Sequence, residues 1–351
     1  MASALMDPDV RGVAFVRLRV GLGDLLCGAP ALRAVRRARP DLRITLVTWA
    51  EMAPVVRRMR ACVDELLPFP GHPGIPERPP RAEELPGFWR RAAERGFDLA
   101  VQSYGDNPVA GEVTERMGAR LVAGFAVAGW RPPDPALGLA YPREAHEVWR
   151  HLRLVRRLGV PAAAGADALE FPSTPADHRE YRGLCGRHGL RPGGYAVVHP
   201  GATCASRRWP ADRFARVADA LARRGLRVVL GGVPAERGLT AAVAGEMREP
   251  ATDLAGRTTL GGYALLLRGA RLLVGNDTGA AHLAAAVGAP SVTVFLSGDP
   301  VRWAHPGPRH RVARSDVGCS PCRHLTCPID FRCASRVSVD DVVGHVEALI
   351  G

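Results

Sequence analysis

The sequence predicts an α/β protein of two domains, each a parallel sheet covered by helices. Three observations carry that expectation. Short apolar, β-branched runs alternate with helical patterns from residue 12 onward, which is the rhythm of strands joined by crossover helices. The rhythm restarts near residue 195, after a stretch rich in Pro, Ala and Gly. The chain has 351 residues, too many for one ordinary core and suited to two.

In the first half, GVAFVRLRV (12–20) reads as a buried strand. The turn Gly21-Leu22-Gly23-Asp24 follows, and LLCGAPALRAVRRAR then spaces its apolar residues as a helix does. ITLVTW and FDLAVQSY read as further strands, and EAHEVWRHLRLVRRLG as a helix. The Pro- and Gly-rich segments 68–87 and 130–143 read as loops, and PAAAGADALEFPSTPAD as the connection between halves.

In the second half, YAVVHPGA is a strand running into a Gly turn. ADRFARVADALARRG is an amphipathic helix that Gly225 ends. LRVVLGG, RLLVGNDTG and PSVTVFLSGDP are strands with their turns, separated by the helices GYALLLRGA and AAHLAAAVGA. The closing VSVDDVVGHVEALI is a helix with Ser338 as its N-cap. The expected division is a first domain over 1–172, a second over 173–335, and the closing helix over 336–351.

Hydrophobic residues make up 47% and charged residues 23%, the balance of a globular protein. No apolar run reaches the roughly 18 residues of a membrane span. The N-terminal MASALMDPDVRG has neither a basic n-region nor an apolar h-region, so a cytoplasmic location is expected. The formal net charge is +12, and all 47 basic residues are arginine. Exclusive Arg usage reads as coding bias, with most of the charge solvated. The arginines are scattered without a run of five, so nucleic acid is not an expected partner. Attraction to a nucleotide diphosphate, or peripheral contact with an acidic membrane, stays open.

Four motifs carry chemistry. Asp24 follows a strand, beside Gly21 and Gly23, where ligands of open α/β sheets bind. It is either a general base or a cap of the next helix. His199-Pro200-Gly201-Ala202, followed by Ser206-Arg207-Arg208-Trp209-Pro210, suits a phosphate held by backbone N–H groups and an Arg fork. The alternative is a plain turn with solvated arginines. Gly275-Asn276-Asp277-Thr278-Gly279-Ala280-Ala281-His282 runs a buried strand straight into a helix start. Free N–H groups and the positive dipole end there can bind a diphosphate. Asp277 and Thr278 can bond sugar hydroxyls and phosphate, and His282 lies on the first turn; the alternative is a capping motif with a satisfied histidine. The fourth motif is Cys319, Cys322, Cys327 and Cys333, with His324 among them. Four thiols in fifteen residues could close a structural zinc site. The spacing departs from paired knuckles, so reduced thiols packing an irregular loop are preferred, and no catalytic metal or cofactor is expected.

In order, these pieces resemble glycosyltransferase family 9, the heptosyltransferase family of the GT-B fold. The resemblance rests on VRLRVGLGDLLCGAPALRAVRRARPDLRITLVT, VVHPGATCASRRWPADRFARVADALARRGLRVVLGG, LVGNDTGAAHLAAAVGAPSVTVF, DPVRWAHPGP and CSPCRHLTCP. It implies two Rossmann-like domains whose parallel sheets face a central cleft. It also implies an acceptor-binding first domain and a second domain that binds a nucleotide-sugar donor.

By the same resemblance, Asp24 is the catalytic base, Arg207 contacts donor phosphate, and Glu236 contacts the donor nucleoside. Asp277 to His282 hold donor phosphate and sugar. The expected donor contacts are His199, Gly201, Ser206, Arg207, Glu236, Asn276, Asp277, Thr278, Gly279 and His282. The expected acceptor contacts are Gly21, Gly23, Gln102 and Tyr104. The family more often has Lys at position 207, and Leu296-Ser297-Gly298 replaces a Gly-Pro-Thr-like turn.

The reaction the resemblance implies is inverting transfer of a sugar, a heptose from ADP-heptose, to a hydroxyl of a glycan, glycolipid or small molecule. Without a DxD-type carboxylate pair it is expected to need no metal. A nucleotide-sugar epimerase of similar architecture, a non-catalytic nucleotide-sugar-binding protein and a zinc-dependent interaction module are the competing readings.

Overall fold

The computed structural model describes residues 3–161, 163–305 and 307–351. The chain divides into two compact units, Met1–Leu169 and Glu170–Gly351. Each is built on one six-stranded sheet.

In the first unit the strands are β1 (Gly12–Val16), β2 (Arg43–Trp49), β3 (Glu65–Phe69), β4 (Leu99–Gln102), β5 (Leu121–Ala126) and β6 (Gly138–Ala140). Their spatial order is β3-β2-β1-β4-β5-β6, and every pairing is parallel. Val13 of β1 pairs with Ile44 on one side and Leu99 on the other. A strand flanked in this way is buried on both faces, which is why β1 and β4 are apolar runs without alternation. Phe69, Phe88 and Trp49 pack edge to face in the core beneath, the favoured geometry for such rings.

In the second unit the strands are β7 (Tyr195–His199), β8 (Arg227–Leu230), β9 (Ala251–Asp253), β10 (Leu273–Asn276), β11 (Ser291–Val294) and β12 (His310–Ala313). The order is β12-β11-β10-β7-β8-β9, again parallel throughout. Counted from the first strand of each unit, both sheets have the order 3-2-1-4-5-6. In that topology the chain reverses its winding direction between strands 1 and 4, and ligands bind outside the carboxyl ends there. The switch points are β1/β4 and β7/β10.

The helices follow from local chemistry. Helix Ala211–Arg223 buries Phe214, Ala215, Val217, Ala218 and Leu221, an apolar stripe at helical spacing. Closing helix Val339–Ile350 starts at Ser338, whose side chain accepts the Asp341 N–H while Asp341 accepts the Ser338 N–H. This reciprocal cap stabilises the start by about 1 kcal/mol. Val339, Val342 and Val346 of that helix join the core of the second unit with Cys333 and Val337.

Helix Leu22–Ala38 begins earlier than the sequence pattern suggests, because Gly21 is its N-cap. The stretch expected as the connection ends inside the first turn of helix Pro175–His188, which Thr174 and Asp177 start with a reciprocal cap. The expected loop 130–143 contains the edge strand β6, and the expected loop 68–87 begins at the end of β3 and closes on helix Leu85–Glu94. No helix among the described residues is long and apolar enough to cross a membrane.

Candidate active site

At the switch point of the first unit, β1 leads into Arg17 and Arg19 and β4 into Ser103 and Tyr104. Asp24 sits in the first turn of helix Leu22–Ala38. Its side chain does not cap the helix, since the N-cap is Gly21 and no side-chain cap bond forms there. A carboxylate in a first turn is favoured by the helix dipole. The Asp24 carboxyl folds over Gly21, where a Cβ would overlap it, so the glycine is needed for close approach. The Asp24 side chain is 19% exposed, so a substrate can reach it.

Arg17 is buried and donates from both terminal nitrogens of its fork. Nη1 donates to the carbonyls of Ser103 (2.8 Å) and Tyr104 (3.0 Å). Nη2 donates to the Asp24 carbonyl (3.3 Å), Asp24 Oδ1 (3.2 Å) and Glu147 Oε1 (2.8 Å). Glu147 also pairs with Arg150 at 3.2 Å and faces His151 Nε2 at 3.4 Å. A planar guanidinium is the group suited to so many acceptors at once.

Arg19 lies over the Tyr104 ring at 4.5 Å and donates from Nε to the Tyr104 carbonyl. It is 4.0 Å from Asp24 Oδ1, 3.7 Å from Glu77 Oε1 and 3.9 Å from Asp106 Oδ1. Burial works against its charge, but Asp24, then Tyr104, Glu147 and Glu77, outweighs that and raises its pKa above the ordinary arginine value. Tyr104 donates to Glu77 at 2.7 Å. Burial first, then the bond to Glu77, pushes the phenol pKa up, so it stays protonated.

Gln102 is enclosed. Its amide nitrogen donates to the carbonyls of Gly105 and Phe125, and its oxygen accepts the N–H groups of Tyr104 and Gly105. It shapes the loop that carries Tyr104 and Asp106, so its part in an expected acceptor site is indirect. Gly23 lies buried in the first turn beside Asp24.

At the switch point of the second unit, β7 ends at His199 and β10 at Asn276. Asn276 joins the two loops: Oδ1 accepts the Trp209 N–H (3.1 Å) and Nδ2 donates to the Pro200 carbonyl (2.8 Å). Asp277 is buried, and Arg207 Nη1 approaches its Oδ2 at 3.4 Å. Thr278 is the N-cap of helix Gly279–Ala286, its side chain accepting the Ala280 N–H. The first N–H groups of a helix have no partner within it and attract anions. Arg207 keeps its side chain 36% exposed beside that end. The structure therefore brings Arg207, Asp277, Thr278 and Gly279 together.

His282 is buried, its Nδ1 2.8 Å from His305 Nε2 and its ring edge-on to Trp303. Glu236 lies at the end of the short turn Pro234–Glu236, and Oε2 accepts the Val233 N–H at 2.9 Å. Gly201 abuts its carboxylate, where a Cβ would overlap. His199 does not point into open space: Nδ1 lies 2.8 Å from the Tyr263 hydroxyl and Nε2 faces Glu236 Oε2 at 3.5 Å.

The cysteine-rich segment is not remote from these residues. Ser206 N donates to the Leu325 carbonyl (3.0 Å), Ser206 Oγ donates to the His324 carbonyl (2.6 Å), and Cys322 N donates to the Ser297 carbonyl (3.0 Å). Ser206 and Ser297 hydroxyls also meet at 3.0 Å. The four thiols are free, and burial, with Cys327, Cys319 and Cys322 nearby, pushes the Cys333 thiol up. Among the described residues no three His, Cys, Asp or Glu side chains are arranged to hold a metal ion.

Sequence reasoning missed Arg17, Arg19, Glu77, Asp106, Glu147, Tyr263 and His305. A signal existed for the first two, since VRLRV places arginines two apart in an apolar strand. Glu77 lies in a Pro-rich loop with no periodicity, and its approach to Tyr104 depends on tertiary folding.

Comparison with known proteins agrees with this architecture. The model of glycosyltransferase family 9 (heptosyltransferase) matches residues 113–331. Lipopolysaccharide heptosyltransferase 1 of Pseudomonas aeruginosa is 30% identical over 325 residues, covering 87% of this chain and 84% of that protein. The solved structure of the glycosyl transferase family 9 protein from Veillonella parvula has a TM-score of 0.77 at 21% identity, over 97% of both chains. That of the E. coli ADP-heptose lps heptosyltransferase II has a TM-score of 0.71 at 20% identity, over 97% of this chain and 98% of that one. With two parallel 3-2-1-4-5-6 sheets and this similarity along its length, the chain belongs to glycosyltransferase family 9, the heptosyltransferase family, and is a glycosyltransferase of the GT-B fold.

Proposed function

We propose that the protein transfers a heptose, with inversion, from ADP-heptose to a hydroxyl of a glycan, glycolipid or small-molecule acceptor. The observation that carries this reading is the complementary chemistry of the two switch points. The first unit offers a reachable carboxylate, Asp24, fixed by Arg17 and Arg19. The second offers a cation, Arg207, beside a helix start at Thr278-Gly279. The ADP-heptose donor is proposed by analogy with the E. coli ADP-heptose lps heptosyltransferase II, which is similar to this chain.

In this reading Asp24 removes the acceptor proton as the oxygen attacks the anomeric carbon. Charge develops on the departing diphosphate, and Arg207 with the first N–H groups of helix Gly279–Ala286 stabilises it. Asp277 and His282 hold the sugar and phosphate, and Glu236 holds the nucleoside. The acceptor lies against Gly21, Gly23 and Tyr104, with Glu77 and Asp106 available to its hydroxyls. Arg207 and the helix start together take the place of a metal ion.

A donor screen tests this. Release of nucleoside diphosphate is measured for ADP-heptose, other ADP-sugars, and UDP- and GDP-sugars, each with a panel of acceptors. The expected result is acceptor-dependent ADP release from ADP-heptose with an inverted linkage in the product. Turnover of another donor, with none of ADP-heptose, overturns the donor assignment. Release of an epimerised free nucleotide sugar without acceptor overturns the transferase assignment.

A further inference from the structure

We propose that Tyr263 and His199 are positioning residues that orient Glu236 toward the donor ribose. The inference rests on the reading of Glu236 as the nucleoside contact and adds the device that holds it. Tyr263 comes from helix Leu260–Gly269 and His199 from the end of β7, whereas Glu236 follows β8. Three separate elements thus place one phenol, one imidazole and one carboxylate in a row.

The geometry assigns the protons. Tyr263 and His199 are both buried. Burial pulls the His199 pKa down, against the opposing pull of Glu236, so the ring is neutral and carries one N–H. Burial, then Glu236, pushes the Tyr263 pKa up, so the phenol keeps its proton. Nδ1 of His199 is 2.8 Å from the Tyr263 oxygen, and Nε2 faces Glu236 Oε2 at 3.5 Å. Two tautomers are available to a neutral ring. If Nδ1 carries the proton, the Nε2 lone pair faces a carboxylate, which is repulsive. If Tyr263 donates to Nδ1, Nε2–H points at Glu236, which is attractive. The Glu236 carboxylate therefore favours the Nε2–H tautomer, and the Tyr263 hydroxyl stabilises that tautomer by donating to Nδ1.

The surrounding glycines keep the row compact. A Cβ at Gly201 would overlap the Glu236 carboxylate, and one at Gly231 would come within 2.7 Å of the Tyr263 ring. Val233 N–H binds Glu236 Oε2 at 2.9 Å, and His199 Nε2 faces the same oxygen at 3.5 Å. A carboxylate tethered through one oxygen by two groups loses less freedom when its other oxygen accepts a ribose hydroxyl, and that preorganisation appears as affinity.

Calorimetric titration of ADP, 2′-deoxy-ADP and 3′-deoxy-ADP tests the proposal in wild type, Tyr263→Phe, His199→Gln and Glu236→Ala. Tyr263→Phe keeps the ring and removes only the hydroxyl. It is expected to weaken ADP about tenfold, and to leave unchanged the deoxy analogue that lacks the hydroxyl bound by Glu236. His199→Gln is expected to show the same pattern. Unchanged ADP affinity in Tyr263→Phe, with a loss in Glu236→Ala, overturns the positioning role alone. Unchanged affinity in Glu236→Ala overturns the nucleoside assignment and the positioning role with it. Equal weakening of ADP and both deoxy analogues in Tyr263→Phe also overturns the proposal, because it marks a general loosening of the unit.

Discussion

Arg17 holds Asp24 twice, through the backbone carbonyl at 3.3 Å and through Oδ1 at 3.2 Å. The same guanidinium binds the carbonyls of Ser103 and Tyr104 after β4 and the carboxylate of Glu147 at the start of helix Glu147–Arg157. One side chain therefore fixes the first turn of helix Leu22–Ala38 against two other segments. The orientation of Asp24 is a property of this network as much as of its own rotamer.

Asp24→Asn is expected to fold as wild type and bind nucleotide normally, because the amide keeps its size and the second unit is untouched. Turnover should fall about 10²- to 10⁴-fold, the usual contribution of a general base. Steady-state rates with saturating donor check this, alongside calorimetric donor binding. Turnover within a few-fold of wild type would remove Asp24 from the reaction.

Arg17→Met takes one of two cations from Glu147, which is 2% exposed and keeps Arg150 at 3.2 Å. Leaving a buried charge with no partner costs about 3–5 kcal/mol; with Arg150 still in place the loss should be smaller, yet large enough to lower the melting temperature of the first unit. Arg17→Met with Glu147→Leu should regain part of the loss, because a buried pair replaced on both sides by apolar groups is close to neutral. Chemical denaturation of the two single variants and the double variant gives the coupling energy. Additive losses would mean that the two residues do not stabilise each other.

Transfer is expected to persist in excess EDTA. In the proposed reaction the leaving diphosphate meets Arg207 and the N-terminus of helix Gly279–Ala286, and fixed donors of this kind would need no ion to stabilise charge. Initial rates before and after chelation, with added Mg²⁺ or Mn²⁺ as the control, check this. Activity lost to EDTA and restored by either cation contradicts the leaving-group site described above.

Ser206→Ala removes the hydroxyl that donates to the His324 carbonyl and meets Ser297. Arg207 is the next residue, so its loop loses an anchor while its own side chain is intact. ADP affinity should fall a few-fold, in line with one or two neutral hydrogen bonds at about 1 kcal/mol each. Unchanged affinity, measured by calorimetry, would show that the cysteine-rich segment packs beside the loop without holding it.

The alternating strands and helices were legible because parallel sheets demand buried apolar runs and crossovers demand amphipathic helices. Val13, Val197 and Val274, all buried in central strands, belong to such runs. The edge strands were not legible. β6 is three residues, Gly138–Ala140, inside a Pro-rich stretch, and its pairing with β5 is decided by tertiary contact. Asp24, Arg207 and Asp277 were legible because each follows a strand in a Gly-rich turn. Tyr263 was not, because its helix is apolar around its circumference and its hydroxyl finds a partner 64 positions away in the chain. The cysteine spacing pointed only to an irregular loop and gave no sign that Ser206 and Ser297 bond directly to it.

Arg207→Ala is expected to weaken ADP binding roughly 10- to 100-fold, the range of charge-assisted hydrogen bonds. Two effects act in the same direction. The variant loses a donor fork to the diphosphate, and it takes a cation from Asp277, a buried carboxylate 3.4 Å away that then repels the anion more strongly. Arg207→Lys keeps the charge but not the planar fork, so it should fall between wild type and Ala. Asp277→Ala and His282→Ala should each weaken donor more than acceptor binding, since both flank the helix start. The second effect has its own signature: adding Asp277→Ala to Arg207→Ala should cost less than the two single losses together, because the repelling carboxylate is gone. Titration of ADP into the four variants and the double variant decides the matter. Wild-type affinity in all of them would reduce Asp277 to His282 to a helix start with no ligand, and the nucleotide would have to be sought beside Gly21–Asp24.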